Sequence, residues 1–234
     1  MQVIKTASYK KLSEKAEEII LKDIFKKSNL VLGLATGSTP LRLYKLLIKS
    51  FKDGKMDFSK VKTFNLDEYC GLKKNNSQSY YFFMNKNLFS KINIKKENIH
   101  ILNGAAKDKK KECAEYEKKI KEAGGIDLQI LGIGKNGHIG FNEPGSLLNS
   151  RTRLIKLDER TRKDNARFFK SKNKIPKFAL TMGVASILEA KKIILLARKD
   201  KKKIIRQVLK AGVSPQIPAS FLKLHPNCIF IIEE

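Results

Sequence analysis

Short apolar runs alternate along this chain with longer amphipathic stretches, and this alternation restricts the possible folds more than any other feature. Each run has four to six residues and is rich in Ile, Leu or Val, as in strands buried on both faces of a parallel sheet. The amphipathic stretches have the spacing of helices that cover such a sheet. The predicted strands are Leu30–Ala35, Val61–Leu66, Ile99–Leu102, Leu128–Ile133, Lys192–Ala197 and Cys228–Ile232. The predicted helices are Ser8–Phe25, Pro40–Ile48, Ser77–Phe89, Lys107–Ala123, Asp158–Phe169 and Asp200–Lys210.

This order of elements predicts an α/β fold, doubly wound and Rossmann-like, with a mostly parallel sheet and helices on both faces. A length of 234 residues suits a single domain over residues 1–234, and an apolar fraction of 41% is enough for its core. Ligands of such sheets bind at the carboxyl ends of the strands. Three loops therefore become candidates for the functional site: those after Ala35, after Leu66 and after Ile133.

The net charge of +26 raises the possibility of nucleic-acid binding. Only eight of the 49 basic residues are arginine, however, and the lysines are scattered along the helices instead of forming one arm. Arginine is the residue preferred for bidentate contacts with bases and phosphates. The charge is therefore interpreted as a solvated surface that can also steer a small anionic substrate, with no nucleic-acid partner.

The cysteines and the hydropathy indicate a cytoplasmic protein without a membrane partner. Cys70, Cys113 and Cys228 match no zinc-ligand spacing and are expected to be reduced thiols. No apolar run is close to the length of a membrane span, which is about 18 residues. The N-terminus lacks the apolar core of a signal peptide.

The first candidate loop has the sequence expected of an anion site. Thr36, Gly37 and Ser38 follow a predicted strand, Thr39 suits the N-cap of the next helix, and Pro40 suits its first position. Free N–H groups at such a helix start can bind a phosphate. A simple turn with good capping residues is the alternative. The loop matches neither the ATP-binding P-loop nor the dinucleotide fingerprint.

The second loop brings two acids, Asp67 and Glu68, to the end of an apolar strand, where both are expected to enter the crevice. A carboxylate there can act as a general base, especially if its surroundings raise its pKa. The alternative is a solvated strand end.

The third loop, residues 132–145, is rich in glycine and contains one of only three histidines, His138. In an extended path, Asn136 and His138 would project to the same side, and Glu143 follows five residues after the histidine. A histidine flanked by groups that orient it is typical of acid–base catalysis. No partner with metal-ligand spacing accompanies it, so no metal is predicted.

Taken together, these loops resemble the glucosamine/galactosamine-6-phosphate isomerase family, nearly from end to end. The most specific stretch is Gly-His-Ile-Gly-Phe-Asn-Glu-Pro, with Asp-Glu-Tyr upstream of it. The segments that carry the resemblance are Gly33–Pro40, Asn65–Gly71, Ser77–Tyr81, Gly132–Pro144, Ser150–Arg153, Ala179–Gly183 and Leu224–Pro226.

The resemblance implies a glucosamine-6-phosphate deaminase activity of amino-sugar catabolism, in which glucosamine 6-phosphate and water give fructose 6-phosphate and ammonia. It implies that no metal or organic cofactor takes part. It further implies that His138 assists opening of the sugar ring while Asn136 and Glu143 hold it, and that Asp67 takes the proton from C2.

The same resemblance implies a phosphate site in the first loop. The phosphate would bind to Thr36, Gly37 and Ser38, with Arg167 and Lys202 as cationic partners. Binding energy from this remote anchor would help to position C2 against the base.

The sequence departs from the family pattern at several positions. Position 136 is Asn where many members have Asp, and Lys201 and Lys203 compete with Lys202 for the cationic role. Position 155 is Ile where the allosteric hexameric members tend to place a polar contact, and their C-terminal extension has no counterpart in this sequence. We therefore expect an unregulated enzyme, a monomer or a homo-oligomer.

Three alternatives stay open on the sequence alone. A galactosamine-6-phosphate deaminase would differ only in how it recognises the C4 hydroxyl. A 6-phosphogluconolactonase shares the fold and a similar Gly-His loop, but that loop typically continues into a Ser-Leu-Phe-Pro type of sequence instead of Phe141–Pro144. A basic nucleic-acid-binding module would bind duplex DNA with a steep salt dependence.

Overall fold

The computed structural model describes residues 1–158 and 175–234. The strands of these ranges are β1 (Gln2–Thr6), β2 (Val31–Leu34), β3 (Lys62–Asn65), β4 (Asp67–Tyr69), β5 (Ile99–His100), β6 (Leu128–Leu131), β7 (Arg153–Lys156), β8 (Phe178–Thr181), β9 (Ile193–Ala197) and β10 (Cys228–Glu233). The α-helices are α1 (Tyr9–Lys26), α2 (Leu41–Lys52), α3 (Tyr80–Asn87), α4 (Lys109–Glu122), α5 (Val184–Leu188) and α6 (Lys202–Lys210).

Seven of these strands form one sheet in the order β1-β10-β9-β6-β2-β3-β5, and every neighbouring pair is parallel. Strand β9 shows why both faces are covered: Ile193 and Leu195 pack in the core on the side of α4 and α6, whereas Ile194 and Leu196 pack on the side of α1, α2 and α3. Side chains of a strand point alternately to the two faces, so a wholly apolar strand needs helices on both. The predicted doubly wound α/β fold is confirmed.

A second, smaller sheet is antiparallel, in the order β4-β8-β7. It follows the large sheet directly, because only Leu66 separates β3 from β4. The Leu66 N–H donates to Leu34 O in the large sheet, and Leu66 O accepts from Met182 N–H just after β8. The small sheet therefore extends from the carboxyl edge of the large one, where a ligand would bind.

The opposite edge of the large sheet is tied together by Asp127, which is buried just before β6. Its carboxylate accepts from Lys27 Nζ at 2.6 Å, Lys191 Nζ at 2.8 Å and the Val31 N–H at 2.9 Å. Burial by itself would raise the pKa of Asp127, but these three hydrogen bonds outweigh it and hold the pKa below its usual value.

All six predicted strands exist, with their ends shortened or shifted by one or two residues. Five of the six predicted helices exist as well, although α3 begins three residues later than predicted; the sixth, Asp158–Phe169, lies outside the described residues except for Asp158. The elements not predicted are β1, β4, β7, β8 and α5. The edge strands β1 and β7 are half-exposed and carry few apolar residues, and β4, β8 and α5 have only three to five residues, so their periodicity is weak.

Candidate active site

A cleft of about 750 Å³ opens at the carboxyl edge of the large sheet, beside the boundary between β2 and β6. The strand order reverses at this boundary, since the chain runs outward from β2 to β5 and then returns to β6. Such reversal points are where ligands of doubly wound sheets bind. Residues of the three predicted loops line the cleft (within 35–39, 66–67 and 132–141), and the segment 198–201 after β9 joins them.

The loop after β2 keeps the backbone open to the cleft. Gly37 has φ +93°, a left-handed conformation that favours glycine. The predicted helix cap is wrong by one residue: Pro40 is the N-cap of α2, and no side chain caps it. The Tyr9 hydroxyl stabilises this region instead. It donates to Thr39 O at 2.8 Å and accepts from the Arg42 N–H at 3.0 Å.

The residues predicted to bind phosphate divide into three groups. Those that line the cleft are Thr36, Gly37 and Ser38. Lys202 is exposed at the start of α6 and is not among the lining residues, whereas the neighbouring Lys201 is, with its side chain only 17% exposed. Arg167 lies outside the described residues.

Asp67 lies on the cleft as predicted, but on a strand and not in a loop. It is the first residue of β4 and pairs with Thr181 of β8, so an antiparallel ladder holds its backbone. The residue is 6% exposed. Burial of the carboxyl, reinforced by the charge of the adjacent Glu68, raises the pKa of Asp67 to about 8. A carboxyl with such a pKa can both take up and release a proton near neutral pH.

Glu68 does not enter the cleft, and the expectation that both acids do so is wrong. Its carboxylate accepts from the N–H groups of Tyr69 at 2.8 Å, Tyr80 at 2.9 Å and Tyr81 at 2.9 Å. Consecutive residues of a strand point to opposite faces, so when Asp67 faces the cleft, Glu68 turns away from it. Glu68 satisfies N–H groups at the first turn of α3 instead.

The glycine-rich loop is a tight turn that holds the imidazole of His138. The Gly134 N–H donates to His138 O at 2.9 Å, and the Gly137 N–H donates to Gly134 O at 3.1 Å. A methyl group at Gly134 would lie 2.2 Å from Cε1 of the His138 ring, so any other residue there would displace the ring. Gly140, with φ +57°, brings the loop against β4, because a methyl group on it would lie 3.6 Å from Asp67 Oδ2.

Asn136 and Glu143 stand behind His138. The Nδ1 atom of His138 is 3.3 Å from Glu143 Oε1, and Asn136 Nδ2 donates to Glu143 Oε2 at 2.6 Å. The path is a turn and not the extended strand expected, so the Asn136 side chain accepts from the His138 backbone N–H, at 3.3 Å, instead of lying beside the ring. His138 lines the cleft, and the other two do not. The carboxylate faces the imidazole from outside the cleft, but the two groups do not form a hydrogen bond, so the contact is electrostatic.

Residues with no predicted role also line the cleft: Tyr80, Arg198, Lys199, Asp200 and Glu233. Burial, the neighbouring Tyr69 and the charge of Asp67 raise the pKa of Tyr80 well above its usual value, so its hydroxyl stays protonated. The rule that selected the three loops would also have selected the segment after β9, had it been applied to the predicted strand Lys192–Ala197. The same rule could not have selected Tyr80, because this residue belongs to a helix that starts far along the chain from the end of any predicted strand.

Within residues 1–158 and 175–234, no three His, Cys, Asp or Glu side chains come together as metal ligands would. The helices described there are all too short or too polar to cross a membrane.

A family model described as glucosamine-6-phosphate isomerases/6-phosphogluconolactonase matches residues 5–230. A glucosamine-6-phosphate deaminase from Thermoanaerobacter pseudethanolicus is 54% identical to the chain, in an alignment that covers 100% of this chain and 93% of the relative. The glucosamine-6-phosphate deaminase of Clostridium novyi is 51% identical, with 100% of this chain and 98% of that protein covered.

Solved structures agree with these sequence matches. The structure of a monomeric glucosamine-6-phosphate deaminase superposes with a TM-score of 0.98 at 42% identity, covering 100% of this chain and 98% of that one. The 6-phosphogluconolactonase of Thermotoga maritima superposes with a TM-score of 0.78 at 22% identity, covering 100% and 99%, which is a likeness of fold alone. The chain therefore belongs to the family of glucosamine-6-phosphate isomerases and 6-phosphogluconolactonases.

Proposed function

We propose that the protein is a glucosamine-6-phosphate deaminase, which converts glucosamine 6-phosphate and water to fructose 6-phosphate and ammonia in amino-sugar catabolism. The observation that carries the proposal is the meeting of Asp67, with its raised pKa, and His138, with the Glu143 carboxylate 3.3 Å from its Nδ1, in one cleft beside an open backbone loop. The names of relatives more than half identical to the chain support the same reaction.

His138 acts first, on the closed sugar ring. Opening the ring moves a proton from the C1 hydroxyl to the ring oxygen, and an imidazole can accept the first proton and deliver the second. The Glu143 carboxylate lies 3.3 Å from Nδ1, where it can stabilise a positive charge on the ring although the two groups do not form a hydrogen bond in this structure. Asn136 holds Glu143 by a hydrogen bond of 2.6 Å without adding charge of its own.

Asp67 then moves the proton that makes an aldose into a ketose. In the open chain, the hydrogen on C2 is acidified by the C1 carbonyl. The Asp67 carboxylate removes it while O1 takes a proton from the substrate's own ammonium group, which leaves a neutral enolamine. The protonated carboxyl returns the proton to C1, which produces a protonated imine at C2. Water adds to C2 and the amine leaves as ammonia, so that one water is consumed and fructose 6-phosphate remains. A well-placed general base contributes about 10²–10⁴ in rate.

The phosphate anchors the other end of the sugar. It carries roughly −1.5 to −2 charges at pH 7. We propose that the N–H groups of Gly37 and Ser38 and the hydroxyl of Thr36 bind it. Lys201 is the better placed cation because it lines the cleft, with Lys202 as the alternative, and Arg167 is the further cation implied by the family pattern.

The test is an assay of purified protein with glucosamine 6-phosphate, in which ammonia and fructose 6-phosphate are measured together. We expect equal amounts of both, also after dialysis against EDTA, since no metal is proposed. Galactosamine 6-phosphate and 6-phosphogluconolactone, assayed in parallel, decide between the alternatives. Folded wild-type protein that turns over neither amino sugar would exclude the deaminase proposal.

The role of Asp67 has its own test. Asp67→Asn should lose exchange of the C2 hydrogen with solvent deuterium, because an amide cannot take the proton, while it still binds a phosphorylated amino-sugar analogue. If Asp67→Asn exchanged this hydrogen as the wild type does, another residue would be the base.

We also propose that the enzyme acts in the cytoplasm. Cys70, Cys113 and Cys228 are all free thiols, two of them buried, which fits a reducing compartment. A monomer or a homo-oligomer is compatible with this proposal, and sedimentation of the purified protein distinguishes them.

A further inference from the structure

We propose that Arg198 is a phosphate-binding residue of the cleft, a role that rests on the proposed function and goes beyond the residues that the family pattern supplies. Arg198 follows β9 directly, at the carboxyl edge of the sheet, and lines the cleft. It is the residue just before the 3₁₀ turn Lys199–Lys201, and its backbone is still extended there.

The guanidinium is held next to the loop that would receive the phosphate. Its Cζ lies 4.5 Å from the centre of the Tyr9 ring, a cation–π contact. The Tyr9 hydroxyl lies 2.8 Å from Thr39 O and 3.0 Å from Ser38 O. One tyrosine therefore braces the phosphate loop with its hydroxyl and supports Arg198 with its ring.

Arg198 has hydrogen-bonding capacity that the described residues do not use. No carboxylate of residues 1–158 or 175–234 forms an ion pair with it, and its Nε is buried without an acceptor. Arg151, by contrast, forms an ion pair with Glu189. The Nε of Arg42 is also buried and unpaired, but Arg42 does not line the cleft. The buried Nε is closed to a ligand oxygen, so it is the terminal N–H groups of Arg198, for which the described residues provide no acceptor, that are left for an acceptor on the ligand.

The chemistry of the side chain suits a phosphate. A guanidinium that lies over an aromatic ring keeps its in-plane N–H groups for hydrogen bonds, and two of them match two phosphate oxygens. Lysine at this place would supply charge without the paired geometry. Arg198 thus completes, from the β9 side, an anion site whose other side is the backbone of Gly37 and Ser38.

The experiment compares Arg198→Gln with Arg206→Gln, an exposed position on α6 that removes the same charge outside the cleft. Isothermal titration calorimetry with inorganic phosphate is the first readout. We expect the Kd for phosphate, and the KM for glucosamine 6-phosphate, to rise about 10- to 100-fold in Arg198→Gln and by less than twofold in Arg206→Gln. Arg198→Lys should fall between Arg198→Gln and the wild type, because the charge stays and the paired hydrogen bonds are lost.

Unchanged Kd and KM in folded Arg198→Gln would overturn the inference, as would an equal loss in Arg206→Gln, which would indicate the net charge alone. If Arg198→Gln does not fold, Arg198→Lys decides: wild-type affinity for phosphate in that variant refutes the paired contact. The calorimetric result does not need turnover. A wild-type protein without deaminase activity would therefore remove the proposed function and still leave the phosphate contact of Arg198 measurable.

Discussion

Replacing Asp67 with asparagine should stabilise the protein in neutral and alkaline solution and at the same time remove the proposed base. The two side chains have nearly the same shape, but asparagine never ionises. Burial raises the pKa of Asp67 to about 8 in the folded protein, whereas an aspartate in an unfolded chain has a pKa of about 3.9. Once the pH is high enough to ionise Asp67, the folded wild type therefore contains a buried charged carboxylate, which destabilises it.

The magnitude follows from the two pKa values. Between about pH 4 and about pH 8 the folded state keeps the Asp67 proton and the unfolded chain has lost it, so the free energy of unfolding falls as pH rises. The stability due to this proton is complete below about pH 4 and is gone above about pH 8. From pH 6 to pH 8 the wild type should lose about 2 kcal/mol through this group. Asp67→Asn loses no stability through this position, so its unfolding free energy rises relative to that of the wild type by the same about 2 kcal/mol.

The assay is urea denaturation of both proteins at pH 6, 7 and 8, with the difference in unfolding free energy as the result. Titrating groups that do not interact with Asp67 are common to both proteins and cancel in this difference, whereas the charge of the adjacent Glu68 is part of the effect being measured. A difference that stays constant over the range would refute the inference that the Asp67 carboxyl is held protonated by burial.

Asp127→Asn is the matched control, because this carboxylate is stabilised and not penalised. Its folded pKa is lowered by Lys27, Lys191 and the Val31 N–H against the opposing effect of burial, so its stabilisation is present above the unfolded pKa and is lost only as pH falls through the lower folded value. Asp127→Asn should therefore be less stable than the wild type by an amount that does not change between pH 6 and pH 8.

Three further outcomes follow from the same site. Gly134→Ala should lower kcat/KM at least about tenfold in a folded protein, because the new methyl group would lie 2.2 Å from the His138 ring and must displace it; wild-type turnover would contradict the tight turn. Asn136→Asp would put a second carboxyl where the amide now donates to Glu143 at 2.6 Å, so the pKa of one of the two carboxyls must rise. The unfolding free energy should then fall more steeply than in the wild type from pH 5 to pH 8. Parallel curves for the two proteins would count against that geometry. If Asp67 is the base, kcat/KM of the wild type should fall as the pH drops below about 8, and a flat profile down to pH 5 would show that no group with this pKa limits the rate.

The sequence alone was sufficient for six of the seven strands of the large sheet, all but the edge strand β1. Strands such as β9 are apolar at every position because both faces are buried, and this property is visible without coordinates. The positions of three of the four segments that meet at the cleft followed from one rule, since the carboxyl ends of parallel strands share an edge. Thr36, Gly37, Ser38, Asp67 and His138 were therefore predicted on the edge where they lie.

The directions of individual side chains were decided only by the tertiary structure. Asp67 and Glu68 look equivalent in the sequence, yet the antiparallel pairing of β4 with β8 turns one into the cleft and the other towards α3. Lys201 and Lys202 are adjacent lysines, and the 3₁₀ turn before α6 places the first on the cleft and the second in solvent. Local composition records which residues are apolar, whereas the direction of a polar side chain depends on partners distant in the chain. The role proposed for Arg198 has the same origin, because it depends on a contact with Tyr9, almost the whole chain away.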